Sequence, residues 1–195
     1  MGYLSPFEHY NIPNWDPKTV ANHYLMDPKG YGQSVMFFHR FDQCQETLQI
    51  LRRAGIRADI VTGQTDRDAQ IDALEQGKLD VLINMMVLTE GFDYPNLQSV
   101  FVRDSVKLPT VQMAGRVLRM PDNGSKAPKR IIQSGNSKYP FARMATPQKA
   151  YHWDNHQWLS LTPNDERMNA IAMNTARVML SIESPIIPPK QPRFR

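Results

Sequence analysis

Residues 58–83, ADIVTGQTDRDAQIDALEQGKLDVLI, decide the fold class. An apolar, β-prone run from Ala58 to Val61 is followed by a helical pattern from Asp66 to Gln76, which ends at Gly77. A second apolar run, 81–83, comes directly afterwards. A strand, a helix and a strand at this spacing are typical of a right-handed βαβ unit with parallel strands.

The same alternation continues on both sides of this segment. Apolar runs at 35–38, 99–102 and 130–132 predict further strands, and the patterns at 42–54 and 110–119 predict helices. In the helix at 42–54, Cys44, Leu48 and Leu51 fall on one face. We therefore predict an α/β fold: a doubly wound, mostly parallel sheet of about five or six strands with helices on both faces.

Weaker patterns flank this region and suggest four segments. Residues 1–33 form a lead-in with one short helix that starts at Asp16 and Pro17, and residues 34–134 form the α/β domain. Residues 135–183 form an irregular C-terminal extension that ends in a helix, 164–182. Residues 184–195 form a Pro-rich, basic tail that cannot continue this helix.

The composition bounds the protein class. A chain of 195 residues with 41% hydrophobic and 22% charged residues builds one globular domain with an appendage, which excludes disordered and fibrous classes. The single cysteine excludes an internal disulfide. No apolar run approaches the roughly 20 residues of a membrane span, and the N-terminus lacks a signal-peptide layout. We expect a cytoplasmic or nucleoid-associated protein that is not secreted and does not bind a membrane.

The positive charge is unevenly distributed. The chain carries +4, but residues 106–145 hold eight basic side chains and one acidic one, hence +7, and the remainder sums to −3. This segment either presents one cationic surface to a polyanion such as nucleic acid or forms a solvated surface of uneven charge. Charge alone leaves both interpretations open.

Polar residues follow three of the predicted strands, where ligands of doubly wound sheets bind. His39 follows the first strand, and residues 88–93 follow the third. In the helix after the fourth strand, Gln112, Arg116 and Arg119 have the spacing of a single stripe. Two guanidinium groups on one stripe suit a phosphate group, although two solvated arginines on an exposed helix fit the same spacing.

Taken in order, these segments resemble the motifs of one family. Residues 34–120 resemble the second RecA-like lobe of superfamily 2 helicases, in the branch that includes restriction-enzyme and UvsW-type DNA translocases. Residues 34–39 resemble motif IV, 62–65 the small turn after the next strand and 88–95 motif V, and 112–119 match motif VI in its QxxGRxxR form. Met113 and Leu118 stand where many helicases have Arg and Gly, but the restriction-type branch varies at both positions.

The resemblance implies a role for each matching residue. Arg116 and Arg119 would be arginine fingers that reach the γ-phosphate of an ATP held by another lobe, assisted by Gln112. Three positions would bind the nucleotide, and three would contact the nucleic-acid backbone without identifying its sequence. The nucleotide positions are Gly91, Asp93 and Gly115, and the backbone positions are His39, Gly63 and Thr89. Without the family context, a loop cap at Asp93 and a helix N-cap at Thr89 are the alternatives.

The sequence contains no GxxxxGK[ST] loop and no DEAD- or DEAH-like magnesium motif. ATP would therefore be shared with a partner lobe that carries the ATP-binding loop and holds the magnesium, and this chain alone should bind no magnesium and not hydrolyse ATP. The leading hypothesis is the C-terminal lobe of an ATP-dependent DNA helicase or translocase, with RNA as a possible alternative track, either a separate subunit or part of a longer chain. The rival hypothesis is a non-catalytic module that binds nucleic acid or docks on a helicase. An unrelated doubly wound nucleotide-binding protein is disfavoured because no Gly-rich loop follows a strand.

Two features near the C-terminus are less specific. His152 and His156 have the spacing of one helix face, but no acidic or cysteine ligands accompany them, which favours surface histidines over a metal site. Aromatic residues interleave with basic ones between 138 and 158, an arrangement that fits either base stacking or a small satellite core.

Overall fold

The computed structural model describes residues 5–85, 94–120 and 127–161. The motif V positions Thr89, Gly91 and Asp93 lie outside these ranges, as do the predicted helix 164–182 and the Pro-rich tail. Within the described ranges, no helix has the length and apolarity needed to cross a membrane.

A single eight-stranded sheet forms the centre of the fold, in the order β3-β4-β2-β5-β6-β1-β7-β8. Every neighbouring pair is parallel except β7 and β8, which are antiparallel. The strands are β1 (Phe7–Ile12), β2 (Ser34–Phe37), β3 (Ala58–Val61), β4 (Val81–Asn84), β5 (Ser99–Val102), β6 (Lys129–Ser134), β7 (Lys149–Asp154) and β8 (Gln157–Ser160).

Helices cover both faces of the sheet and create two apolar cores. One core gathers Val20 and Tyr24 with Cys44 and Leu51, and the other gathers Leu74 with Met113 and other side chains. All residues of β2, β4 and β5 are buried between these layers, which explains their continuous apolar sequences. The helices are α1 (Pro17–Met26), α2 (Pro28–Tyr31), α3 (Phe41–Arg53), α4 (Arg67–Glu75) and α5 (Lys107–Gly115). The predicted RecA-like, doubly wound fold is confirmed.

The sheet has more strands than the five or six expected, because the flanking segments contribute three. β1 lies within residues 1–33 and pairs with both β6 and β7. β1 contains several polar residues although most of the strand is buried. Among them, His9 is fully buried, and the His9 Nε2 lies 2.9 Å from Gln133 Oε1. The hydrophobic pattern of the sequence therefore gave no sign of this internal strand.

The hairpin β7–β8 replaces an expected irregular segment. Asn155 and His156 form its two-residue turn with φ of 44° and 64°, the left-handed conformation that such a turn requires. His152 lies in β7 and His156 in this turn, so the two histidines do not share a helix face.

Helix α5 begins and ends earlier than the predicted helix 110–119. It starts at Lys107, with Pro109 tolerated in the first turn, where the backbone N–H would lack a helical partner. After Gly115 the backbone forms tight turns, and Ser5 N donates to Leu118 O at 2.7 Å. Arg119 therefore lies beyond the helix, and the prediction that it shares a helical stripe with Gln112 and Arg116 is wrong.

Candidate nucleotide and nucleic-acid interface

The parallel strands bring two of the predicted site residues to one edge of the sheet, where their carboxyl ends meet. His39 follows β2, and Gly63 lies in the turn after β3. Gln112 lies in the second half of α5, and Arg116 directly follows its last residue, Gly115. This end of the helix lies toward the amino end of β1, because Leu118 O accepts from Ser5 N. The carboxyl end of β4 leads into residues 86–93, which lie outside the described part of the chain.

The exposed side chain of His39, which follows β2, contacts the backbone just after β5. Its Nε2 lies 2.9 Å from the backbone oxygen of Asp104, which follows β5. Arg103 Nη1 lies 3.1 Å from the same oxygen, so this carbonyl can accept a hydrogen bond from each side chain. An exposed, anchored imidazole at the sheet edge is suited to contact a phosphate backbone.

Arg103 is a residue that sequence reasoning missed. Its side chain is only 6% exposed, directly after the apolar strand β5. Burial lowers its pKa, although an arginine remains a cation at any physiological pH. Arg103 thus contacts the same carbonyl oxygen as His39, just after the end of β5. The signal in the sequence was a lone arginine that ends an otherwise apolar strand.

The turn 62–65 is closed by its own threonine side chains. Thr62 N donates to Thr65 Oγ1 at 3.0 Å, and Gln64 N donates to Thr62 Oγ1 at 3.2 Å. A Cβ at Gly63 would meet nothing within 4 Å, so packing does not require this glycine. The turn borders a surface cavity of about 880 Å³ that Phe41 also lines.

One side of α5 carries the candidate nucleotide-facing residues. Gln112 and Arg116 are four residues apart and half-buried, so both side chains still reach the surface. A Cβ at Gly115 would meet nothing within 4 Å, which leaves the helix backbone open to a close neighbour. Arg119 is exposed just beyond the helix end. The structure thus places one of the three predicted catalytic residues, Gln112, on α5, the second, Arg116, directly after its last residue, and the third, Arg119, further along the chain.

The basic segment 106–145 does not form one cationic surface. Lys129 is buried and its Nζ donates to Pro95 O at 2.8 Å, and burial lowers its pKa. The Arg130 side chain lies on the face of the sheet that carries Tyr10 and Tyr31. Its Nη1 pairs with Asp27 Oδ2 at 3.0 Å. The remaining described charges lie around α5 and the connection after β6.

No group of three His, Cys, Asp or Glu side chains that could hold a metal ion occurs among residues 5–85, 94–120 and 127–161.

The family model "Helicase conserved C-terminal domain" matches residues 17–121, more than half of the chain. This chain belongs to the helicase C-terminal domain family. The matched region contains the helices α1 to α5 and the strands β2 to β5.

Two curated relatives are also named as helicases. "Putative helicase 22" of Sulfolobus islandicus filamentous virus is 33% identical over 128 residues, 63% of this chain and 22% of the relative. "Putative ATP-dependent helicase IRC3" of Saccharomyces cerevisiae is 33% identical over 81 residues, 39% of this chain and 12% of the relative. The helicase domain described here therefore spans less than a quarter of each relative's length.

Solved structures share the fold. A fragment of an HsdR subunit of a type I restriction enzyme from Vibrio vulnificus superposes with a TM-score of 0.60 at 15% identity, covering 81% of this chain and 38% of that one. The C-terminal domain of the DEAD-box protein Dbp5 superposes with a TM-score of 0.54 at 21% identity, covering 73% of this chain and 82% of that one. At these identities, the likeness supports the RecA-like lobe and not a particular substrate.

Proposed function

We propose that this helicase C-terminal domain is the second lobe of an ATP-dependent DNA helicase or translocase. In this proposal Arg116 and Arg119 are arginine fingers, Gln112 assists them, and Gly115 lies against the nucleotide together with Gly91 and Asp93. The observation that supports it is the carboxyl end of α5, where Gln112 and Arg116 are both half-buried next to the open backbone of Gly115.

The chemistry asked of these residues is electrostatic. Negative charge on the transferred γ-phosphoryl group spreads over its oxygens in the transition state, and a guanidinium placed there stabilises it. The ATP-binding loop and the magnesium ion would come from the other lobe, since the 195 residues contain no GxxxxGK[ST] loop. Catalysis then depends on closure of two lobes around one nucleotide.

The same proposal assigns half of the nucleic-acid track to this lobe. His39 and the turn at Gly63 lie at the carboxyl edge of the sheet, and Thr89 belongs to motif V in the sequence. Contacts from an imidazole and an open turn would hold the backbone without base readout. DNA is the proposed track because the motifs resemble those of DNA translocases, and an RNA oligonucleotide in the same assay tests the alternative.

The test supplies the missing lobe. A helicase amino-terminal lobe that carries a GxxxxGK[ST] loop is mixed with or fused to this chain, and DNA-stimulated ATP hydrolysis is measured. Arg116→Ala should lower kcat by about 10³-fold or more with little change in KM, because a finger acts mainly in the transition state. Arg119→Ala is measured separately, since Arg119 lies outside α5.

Arg53→Ala is the matched control, an exposed arginine at the end of α3, outside all of the helicase motifs. Its kcat should equal that of the unmodified chain. Unchanged activity in both Arg116→Ala and Arg119→Ala would sink the finger assignment. DNA binding without ATPase activity in any lobe combination would favour the non-catalytic module instead.

A further inference from the structure

A groove lies on the other side of α5, away from Gln112 and Arg116. Lys107 and Val111 line it from the helix, and Lys138, Tyr139 and Arg143 line it from the connection between β6 and β7. Its volume is about 640 Å³. Lys107 and Gln112 are separated by about 140° around the helix axis, as five residues of an α-helix require.

The groove collects cations that are distant in the sequence. Lys107, Lys138 and Arg143 are all exposed, and no acidic side chain of the described part of the chain lines the groove. Among the described residues, no ion pair involves any of the three. Three cations without acidic partners create a positive potential that attracts an anionic ligand.

An aromatic ring and apolar side chains accompany these cations. Tyr139 is half-buried in the groove, and Lys138 Nζ lies 5.6 Å from its ring centroid. On α5, Val111 is 39% exposed and Leu108 is 67% exposed. Proteins bind single-stranded nucleic acids with a positive groove and an aromatic ring of this kind, because phosphates contact the cations while a base stacks on the ring.

The connection that forms the outer wall is well anchored. Phe141 N donates to Gln133 Oε1 at 2.6 Å, and the Phe141 ring packs edge-on against Phe7 at 5.4 Å between centroids. A single 3-10 turn, Phe141–Arg143, follows, and Met144 N donates to Phe141 O at 2.8 Å. The groove is therefore preformed, which reduces the ordering cost of binding.

We infer that this groove binds the backbone of a single-stranded nucleic acid, at a site separate from the motif residues at His39 and Gly63. The inference rests on the proposed nucleic-acid partner and adds a contact that none of the helicase motifs contains. An acidic peptide would match the charges but would make no use of the Tyr139 ring, so nucleic acid is the partner that the groove fits best.

The test measures binding of a fluorescein-labelled 20-nucleotide oligothymidylate to the full chain by anisotropy at several salt concentrations. The groove variant is Lys138→Glu/Arg143→Glu. The matched control is Arg53→Glu/Lys78→Glu, which changes the net charge equally at exposed sites on the amino edge of the sheet. The groove variant should bind at least about 30-fold more weakly, and its salt slope should fall by about 1.4, as expected for two lost phosphate contacts.

The control should lose less than about 3-fold, since it changes only the overall field of the protein. Lys107→Glu provides a second groove variant that folds, because a carboxylate in the first turn of α5 is favourable. Equal losses in the groove and control variants, or no loss in either groove variant, would overturn the inference. Tighter groove-dependent binding of a 20-residue oligoglutamate than of the oligonucleotide would overturn nucleic acid as the partner.

The two proposals fail in distinguishable ways. If Arg116→Ala leaves ATP hydrolysis in the two-lobe assay unchanged while the groove variant still loses oligonucleotide affinity, only the finger assignment is wrong. If Arg116 controls hydrolysis and the groove variant binds normally, only the groove is wrong.

Discussion

The two halves of the sheet are stabilised by different side chains. Strands β3, β4, β2, β5 and β6 pack with mainly aliphatic residues between two helical layers, and all are parallel. In the other half, β1, β7 and β8 pack through aromatic rings. Tyr10 stacks on Tyr151 at 4.7 Å and meets Trp158 edge-on at 4.9 Å between centroids.

The difference shows how each half joins the fold. The first half consists of consecutive strand-helix units, and its paired strands are at most 65 residues apart in sequence, as Ser34 and Ser99 are. In the second half, Tyr10 of β1 contacts Tyr31 of α2. The Tyr10 ring centroid also lies 5.6 Å from the Arg130 guanidinium of β6. Tyr10 therefore connects the aromatic half to the parallel half.

The largest expected effect tests whether the two halves unfold together. Tyr10 is 7% exposed and Phe101 of β5 is fully buried. Tyr10→Ala and Phe101→Ala should each lower the free energy of unfolding by about 3–5 kcal/mol, as truncation of a buried aromatic ring does. Urea unfolding, followed by circular dichroism and tryptophan fluorescence, should show one coincident transition for both variants.

Tyr10→Phe is the control, since it retains the ring and loses only the hydroxyl bond to Glu8 Oε2 at 2.7 Å. It should cost about 1 kcal/mol. A second transition in Tyr10→Ala, absent from Phe101→Ala, would show that the aromatic half unfolds independently.

A smaller effect concerns pH and the aromatic half. His23 of α1 is 4% exposed against Trp153 and Trp158, and burial lowers its pKa to about 4. The unfolded chain binds a proton near pH 6.5, so the stabilisation present above that pH is lost as the pH falls toward 4. Between pH 7 and pH 5 His23 should account for a loss of about 2 kcal/mol.

The measurement is urea unfolding at both pH values for the unmodified chain and for His23→Phe. The variant should lose about 2 kcal/mol less over this interval, because its ring does not titrate. An equal pH dependence in both proteins would mean that His23 is protonated in the folded state.

The smallest effect concerns a local signal that the sequence already contained. Asp16 caps α1 by accepting from Thr19 N at 2.9 Å and from Thr19 Oγ1 at 2.8 Å. Asp16→Ala should cost about 1 kcal/mol in thermal or urea unfolding, whereas Asp16→Asn, which keeps an acceptor, should cost a few tenths. A loss in Asp16→Asn equal to that in Asp16→Ala would show that the charge, not the acceptor geometry, stabilises the helix.

The fold was predictable wherever burial and sequence pattern coincide. Strands β2, β4 and β5 are apolar because both of their faces are covered, and α3 is amphipathic because one of its faces is. β1 could not be predicted, because its buried polar residue His9 bonds to Gln133 of β6, a residue that is distant in sequence. A polar pair of this kind leaves no periodic signal.

For the candidate site, the sequence names residues but not their geometry. The structure leaves His39 and Gly63 exposed and Gln112 and Arg116 half-buried. Beyond the end of α5 at Gly115 the backbone forms tight turns, and Leu118 O accepts from Ser5 N, which is distant in sequence. Helical periodicity therefore could not locate Arg119.

The internal position of β1 also has a kinetic consequence. His9 and its partner Gln133 are 124 residues apart, and β7 is further still along the chain. During synthesis, β1 is made first yet cannot acquire either neighbour until most of the lobe has left the ribosome. Such long loop closure raises the contact order and slows folding. The last step in assembling this lobe is therefore expected to be the insertion of its earliest strand.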